Sequence, residues 1–237
     1  MAEPIIRIED LIFRWSTKCE PCVAIQHFEV EAGERIFLHG PSGSGKSTLL
    51  GLLGGVLVPE QGRLQLLGAD LTALPSVARD RFRADHVGLI FQQFNLIPYL
   101  SVIDNVLLSC RFSTRRRERA TSAGQTLHDE AIRLLSHLDL SDSLYQRQAT
   151  QLSVGQQQRV AAARALIGQP EIVIADEPTS ALDAERQSAF LDLLSRECAD
   201  AGSTLLFVSH DRRLAAGFSR EIALPSINRC ISEGPQG

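Results

Sequence analysis

Gly40-Pro41-Ser42-Gly43-Ser44-Gly45-Lys46-Ser47-Thr48 carries the residue types that grip a triphosphate, at the spacing G-x-x-x-x-G-K-[ST]. Its glycines let successive backbone N–H groups point inward, which makes a nest for phosphate oxygens. Ile36-Phe37-Leu38 ahead of it reads as a strand. Leu49-Leu50-Gly51-Leu52-Leu53 behind it reads as a helix that begins at Lys46. The positive end of that helix falls on the same spot. Lys46 then reaches the β- and γ-phosphates, and the Ser47 hydroxyl is placed to ligate Mg²⁺. A nucleoside triphosphate is the expected ligand. The motif alone does not separate GTPases, kinases and motor-like ATPases.

A second group with chemical potential is Ile172-Val173-Ile174-Ala175-Asp176-Glu177, an apolar run ending in two acids. If its strand runs parallel to the one before the phosphate loop, the acids reach the sheet edge where ligands bind. Asp176 would hold Mg²⁺, directly or through water, and Glu177 would polarise an attacking water as general base. The competing reading is a helix start with acids placed for the dipole.

The elements that must position these groups follow from periodicity. Residues 5–13 and 23–38 read as strands of a β-rich N-terminal layer, broken by turn residues at 18–21 and 31–34. A short strand at 63–67, a charged exposed helix at 76–85 and an apolar strand at 87–91 come next. From there to about residue 155 the segments 101–110 and 128–138 are helical in period, as is 156–168 beyond them. Strands at 172–175 and 204–208 flank a helix at 184–200. Strands alternating with helices predict a parallel sheet. Arg111-Phe112-Ser113-Thr114-Arg115-Arg116-Arg117-Glu118-Arg119 holds five arginines and reads as a solvated loop or helix end.

Composition narrows the function classes. The chain has 237 residues, 44% of them hydrophobic and 22% charged, with a net charge of −4. Nothing in that balance suggests a nucleic-acid binder. No apolar run approaches the roughly 20 residues that span a bilayer. The start Met1-Ala2-Glu3-Pro4-Ile5 lacks the basic and apolar regions of a secretory signal, so a cytosolic protein is expected. The five cysteines are scattered and odd in number, which argues against a disulfide framework. Cys19 and Cys22 read as two reduced thiols in a hairpin.

Leu152-Ser153-Val154-Gly155-Gln156, heading a helix, is where the chain resembles the ATP-binding-cassette ATPases, and the resemblance covers nearly its whole length. That segment is similar to the family's signature motif, and Ser180-Ala181-Leu182-Asp183 to its D-loop. Gln92 matches the Q-loop glutamine and His210 the switch histidine. The implied fold is an α/β P-loop NTPase with a RecA-like, mostly parallel sheet and helices on both faces. An N-terminal antiparallel β layer and an inserted helical subdomain complete it. One nucleotide-binding domain would have its catalytic core at about 1–92 and 157–224, its helical subdomain at 93–156 and a frayed tail at 225–237.

The resemblance also implies roles. ATP and Mg²⁺ are the expected cofactors, with Ser47, Gln92 and Asp176 toward the metal and Glu177, His210 and Gln92 catalytic. Ser153, Gly155, Gln156 and Asp183 would act on ATP held by a second copy of the chain, in a head-to-tail pair. Trp15 lies at the position of the aromatic that stacks on adenine, with Phe13 as the other candidate and core or rim packing as the alternative. Residues 93–102 would receive a membrane-spanning permease subunit or else form a small satellite core. The peptide would sit on the inner face of the cell membrane. Val87 to Pro98 is similar to the lipoprotein-release and macrolide-export branch, which points to export. A soluble cassette ATPase acting on nucleic acid or ribosomes, and a small-molecule kinase, are the rivals. Val154 departs from the family's glycine, and a β-branched residue there is strained if the backbone needs positive φ.

Overall fold

Alternation with one interruption makes Ile6–Phe13 (β1) a strand with one buried face, formed by Ile6, Ile8, Leu11 and Phe13. The three-residue step from Ile8 to Leu11 breaks the period. There the pairing with Gln61–Leu66 (β4) shifts register between Glu9 and Ile12, and Asp10 turns left-handed. Gly62 makes the close crossing possible: an added Cβ would lie 2.3 Å from the Asp10 carbonyl oxygen. Val23–Val30 (β2) pairs antiparallel along the other edge of β1, and Ala69–Asp70 (β5) closes a sheet of order β2-β1-β4-β5. This is the antiparallel layer the sequence predicts.

The structure, a computed structural model, describes residues 3–180 and 182–230. Its chain divides into two units, one made of Met1–Asp80 with Leu206–Gly237 and the other of Arg81–Leu205. The antiparallel sheet belongs to the first. So does Arg35–His39 (β3), whose Ile36, Phe37 and Leu38 are all buried, as expected of a strand covered on both faces. Lys46–Leu53 (α1) follows β3 and buries Leu49, Leu50, Leu52 and Leu53. It stops where Gly55 adopts a left-handed φ and donates to the Leu52 carbonyl. Burying each such leucine stabilises the fold by roughly 1.5–3 kcal/mol. Arg220–Ala223 (β9) runs parallel to β3. Phe37 of β3 clusters with Phe207 and Phe218, the ring centroids 5.4 to 6.3 Å apart.

In the second unit Val87–Ile90 (β6) and Ile172–Asp176 (β7) pair in parallel, Val87 with Ile172 and Ile90 with Ala175. Ser76–His86 (α2) leads into β6 and has no buried residue. The α-helices described in this unit after β6 are Val102–Phe112 (α3), Thr114–Ala120 (α4), Leu127–His137 (α5), Val154–Leu166 (α6) and Ala184–Asp200 (α7), with short 3-10 turns at Asp142–Leu144 and Ala149–Gln151. Thr204–Val208 (β8) is fully buried and carries the chain from the second unit into the first. Leu224–Ile227 (α8) ends the described elements.

Two expectations are corrected. The arginine run is the helix-end alternative, closing α3 and forming α4, but it is not wholly solvated: Arg116 is 2% exposed, while Arg115 and Arg119 both reach Glu171 at 2.6 Å. Solvent faces only part of α4, so charge density alone misreads it. The tail is not frayed from 225 onward either. Residues 225–227 continue α8, and Asn228 is completely buried. The remaining seven residues of the tail lie outside the described residues.

Candidate functional site

Residues 40–48 form the turn that the sequence predicts. Gly43 and Gly45 take left-handed φ values of 78° and 91°. No side chain caps α1, so its first N–H groups are not spent on a cap. Lys46 lies back over the turn and donates to the carbonyls of Gly40 (2.8 Å) and Pro41 (2.9 Å). The Ser44 hydroxyl is buried and has no hydrogen-bond partner among the described residues. Gly40 has no room for a side chain, since a Cβ would sit 2.8 Å from that hydroxyl. A loop with uncapped donors, left-handed glycines and an orphaned hydroxyl fits a triphosphate. Pro41, Ser42, Gly43 and Ser47 are exposed, and Thr48 is buried beneath.

Two distant segments meet this loop. A Cβ on Gly45 would lie 2.9 Å from the Cys22 carbonyl and 3.3 Å from Val23, so the β1–β2 hairpin abuts the turn. Trp15 sits in that hairpin, 66% exposed, its ring edge-on to Phe13 at 5.3 Å. The second segment is Asn228. Its side chain donates to the Cys22 carbonyl (3.0 Å) and the Ser44 carbonyl (3.2 Å), and accepts from the Ala24 N–H (2.8 Å). Sequence reading missed it, because nothing near residue 228 signals a return to the phosphate loop. His210 is exposed just after β8, where the Ser209 N–H donates to the Leu38 carbonyl (3.2 Å). The neighbouring Asp211 carboxyl is held at about 2 by its bonds to Arg213.

The second unit holds the other predicted residues. Ile90 opposite Ala175 means the chain leaves β6 toward Gln92 and β7 toward Asp176 at one edge. Glu177 has φ +44, a strained value for a non-glycine residue. After Gln92, Phe94 and Asn95 also take positive φ, and Arg164 donates to both carbonyls (2.5 and 2.7 Å). Asn105, fully buried, bonds Ile97, Leu100 and Ser101 backbone and fixes the loop beyond. Its signal was present in the sequence as one amide inside the apolar stretch of α3. Phe94 and Val102 are buried in that local core, whereas Tyr99 is 72% exposed.

Ser153 caps α6. Its hydroxyl accepts from the Gln156 N–H (3.4 Å), and the Gln156 side chain accepts from the Ser153 N–H (2.8 Å). Val154 is the first helical residue, 47% exposed and without positive φ, so the departure from glycine carries no backbone strain. Gly155 packs toward Leu182, and the two line a cavity of about 570 Å³ with Ser153 and Arg186. Asp183 caps α7, accepting from the Arg186 N–H at 3.0 Å. Gln187 donates to the Thr179 and Leu182 carbonyls (both 3.1 Å) and pins the turn; Ala181 within it lies outside the described residues. At the head of β7, burial pushes the Glu171 carboxyl up, but bonds from His86 and Arg115 outweigh it and hold it at about 2.

Such a fold and such a phosphate loop define a P-loop NTPase. Residues 24–180 match the family model described as ABC transporter. The chain is 40% identical over 208 residues to the lipoprotein-releasing system ATP-binding protein LolD 2 of Rhodospirillum rubrum, covering 88% of this chain and 87% of the relative. With the macrolide export ATP-binding/permease protein MacB 2 of Aeromonas hydrophila it shares 37% identity over 94% of its own length but 34% of the relative's. The chain spans about a third of that relative. Among solved structures, the ATP-binding cassette MJ0796 in a dimeric post-hydrolysis state with ADP and Pi superposes with TM-score 0.80. Identity there is 31%, over 92% of this chain and 93% of the other. The chain belongs to the ABC transporter family and is one of its ATP-hydrolysing cassettes.

Proposed function

We propose that this protein is the energising subunit of a transporter whose membrane-spanning part is a separate polypeptide, and that two copies bind MgATP head to tail. Among the described residues no helix is long and apolar enough to cross a membrane. The membrane-spanning partner would be received at residues 93–102 on the inner membrane face. The relatives' names favour lipoprotein or lipid release, or export, as the task.

The observation that carries the reading is the phosphate loop, with its orphaned Ser44 hydroxyl, uncapped α1 and retractable Lys46. On ATP binding Lys46 leaves the Gly40 and Pro41 carbonyls for the β- and γ-phosphates. Trp15 offers an exposed indole face to adenine. Glu177 accepts a proton from the attacking water, Gln92 orients that water, and His210 donates to the γ-phosphate. Ser153, the Gly155 backbone, Gln156 and Asp183 complete the site of the opposite copy. Ser47, Gln92 and Asp176 would hold Mg²⁺, which when bound neutralises charge on the phosphate oxygens.

Replacing Glu177 by Gln should leave ATP binding intact, trap an ATP-dependent dimer and lower hydrolysis by about 10²–10⁴-fold. Light scattering with phosphate release reads both. A variant that stays monomeric in millimolar MgATP would sink the shared-site reading.

A further inference from the structure

Asn228 gathers two distant segments around one side chain, and each segment carries a thiol. Its amide nitrogen donates to the Cys22 carbonyl (3.0 Å), while its Oδ1 accepts from the Ala24 N–H (2.8 Å) and the Cys230 N–H (3.3 Å). The Arg229 N–H adds a bond to the Ala24 carbonyl (2.9 Å), and the Arg229 side chain reaches Gln26. Val23 and Ile25 are buried, so by alternation Cys22, Ala24 and Gln26 share the other face of the chain there. Residues 228–230 lie along that face. All of these residues belong to the first unit.

The two thiols act on each other. Burial, and after it the Cys22 thiol, push the Cys230 thiol up; Arg14 pulls it down and Glu20 adds to the rise. Both cysteines are half-buried, neither shut away nor fully open. The other thiols are placed differently. Cys19 is exposed, its N–H donating to the Ser16 carbonyl at 2.9 Å, whereas Cys110 and Cys198 are buried in the second unit. Burial pushes Cys110 up to about 11, which keeps it an unreactive thiol at neutral pH. Hydrogen bonds already hold the Cys22 and Cys230 segments side by side, which is what a disulfide asks of its flanking backbone.

We infer that Cys22 and Cys230 form a redox latch on the nucleotide cradle: a peroxide joins them, and the disulfide fastens the Asn228 buttress to the phosphate loop. The Cys22 thiolate attacks one peroxide oxygen and the O–O bond breaks, leaving a sulfenic acid. The proton lost by the Cys22 thiol turns the released hydroxide into water. The Cys230 sulfur then attacks the Cys22 sulfur, the S–O bond breaks, and the departing hydroxide takes the Cys230 proton to give a second water. Two electrons pass from the sulfurs to the peroxide oxygens, and a dithiol reductant reverses the change. Asn228 also donates to the Ser44 carbonyl (3.2 Å), so the fastened segment holds the loop itself. Cys22 and Asn228 are 206 positions apart, and a crosslink across so long a loop also narrows the freedom of the unfolded chain. The latch concerns the phosphate loop alone and does not rest on the transporter reading.

The test treats the full chain with hydrogen peroxide, blocks the remaining thiols with N-ethylmaleimide and maps disulfides by mass spectrometry without reduction. Cys22 should be joined to Cys230. That linkage should survive Cys19→Ser and vanish in Cys230→Ser. A Cys19–Cys22 bond in its place, a bond between two copies, or no disulfide at all would overturn the pairing. In the oxidised wild type, hydrogen exchange at the Ala24 and Arg229 amides should slow at least about tenfold, and dithiothreitol should restore it. ATP should stay bound at a urea concentration that empties the reduced chain. These two readouts compare one protein with itself, so no variant has to fold. Unchanged exchange, or an oxidised chain that releases ATP, would overturn the latch. If the latch fails while Glu177→Gln dimerises with ATP, the redox assignment alone falls.

Discussion

Two helices in this chain begin beside glycines, Gly45 before α1 and Gly155 within the first turn of α6, and their ends are built in opposite ways. At α1 the cap position is a left-handed Gly45 without a side chain, and the loop above it leaves the Ser44 hydroxyl unpaired. At α6 Ser153 and Gln156 close the end on themselves through a reciprocal capping box. The first end has donors to offer a phosphate at little cost. The second must either exchange or share its internal bonds before it can hold one. An uncapped end suits a permanent nucleotide cradle, and a self-satisfied end suits a surface that works only when another copy arrives.

The comparison breaks most sharply at Lys46. Lys46→Ala removes two carbonyl bonds from the ligand-free loop but the main cation from the triphosphate. Hydrolysis should fall at least about 100-fold while the melting temperature barely moves. Wild-type turnover in that variant would mean the open end is not the cradle.

Asn228→Ala sharpens the same side. It strips four hydrogen bonds to the backbone and should cost about 1–3 kcal/mol in a urea titration, with weaker ATP binding as the loop loosens. Unchanged nucleotide affinity would confine Asn228 to stability.

Acid should act on the second unit through Glu171. Its pKa of about 2 lies below the ordinary 4.5, so the stabilisation is complete above pH about 4.5 and is lost as pH falls toward 2. Glu171→Gln should flatten the drop in melting temperature between pH 6 and 3; an equally steep drop would assign acid loss to other carboxylates.

Ser153→Ala should cost about 1 kcal/mol for a lost cap. It should leave ATP binding by the monomer unchanged and still suppress hydrolysis by the pair. A monomer that binds ATP less tightly after this change would erase the distinction between the two helix ends.

Much of this was legible without coordinates because it is local. Alternation along Ile6–Phe13, the apolar run of Thr204–Val208 and the capped helix Ala184–Asp200 are each encoded within a few residues of themselves. So are the phosphate loop and the order of the motifs around it. Arg116 was misread since its neighbours in sequence are charged, while the packing that buries it comes from distant segments such as Ala165 and Gly168.

By itself the sequence determined the element order, the P-loop class and the family, since periodicity, turn chemistry and motif spacing are short-range properties. Only tertiary structure decided that Asn228, 184 positions from Ser44, buttresses the phosphate loop, that Val154 sits unstrained and that Arg116 lies buried with donors unspent. Each of those depends on which distant segment folds back to exclude water, and no local pattern records that return.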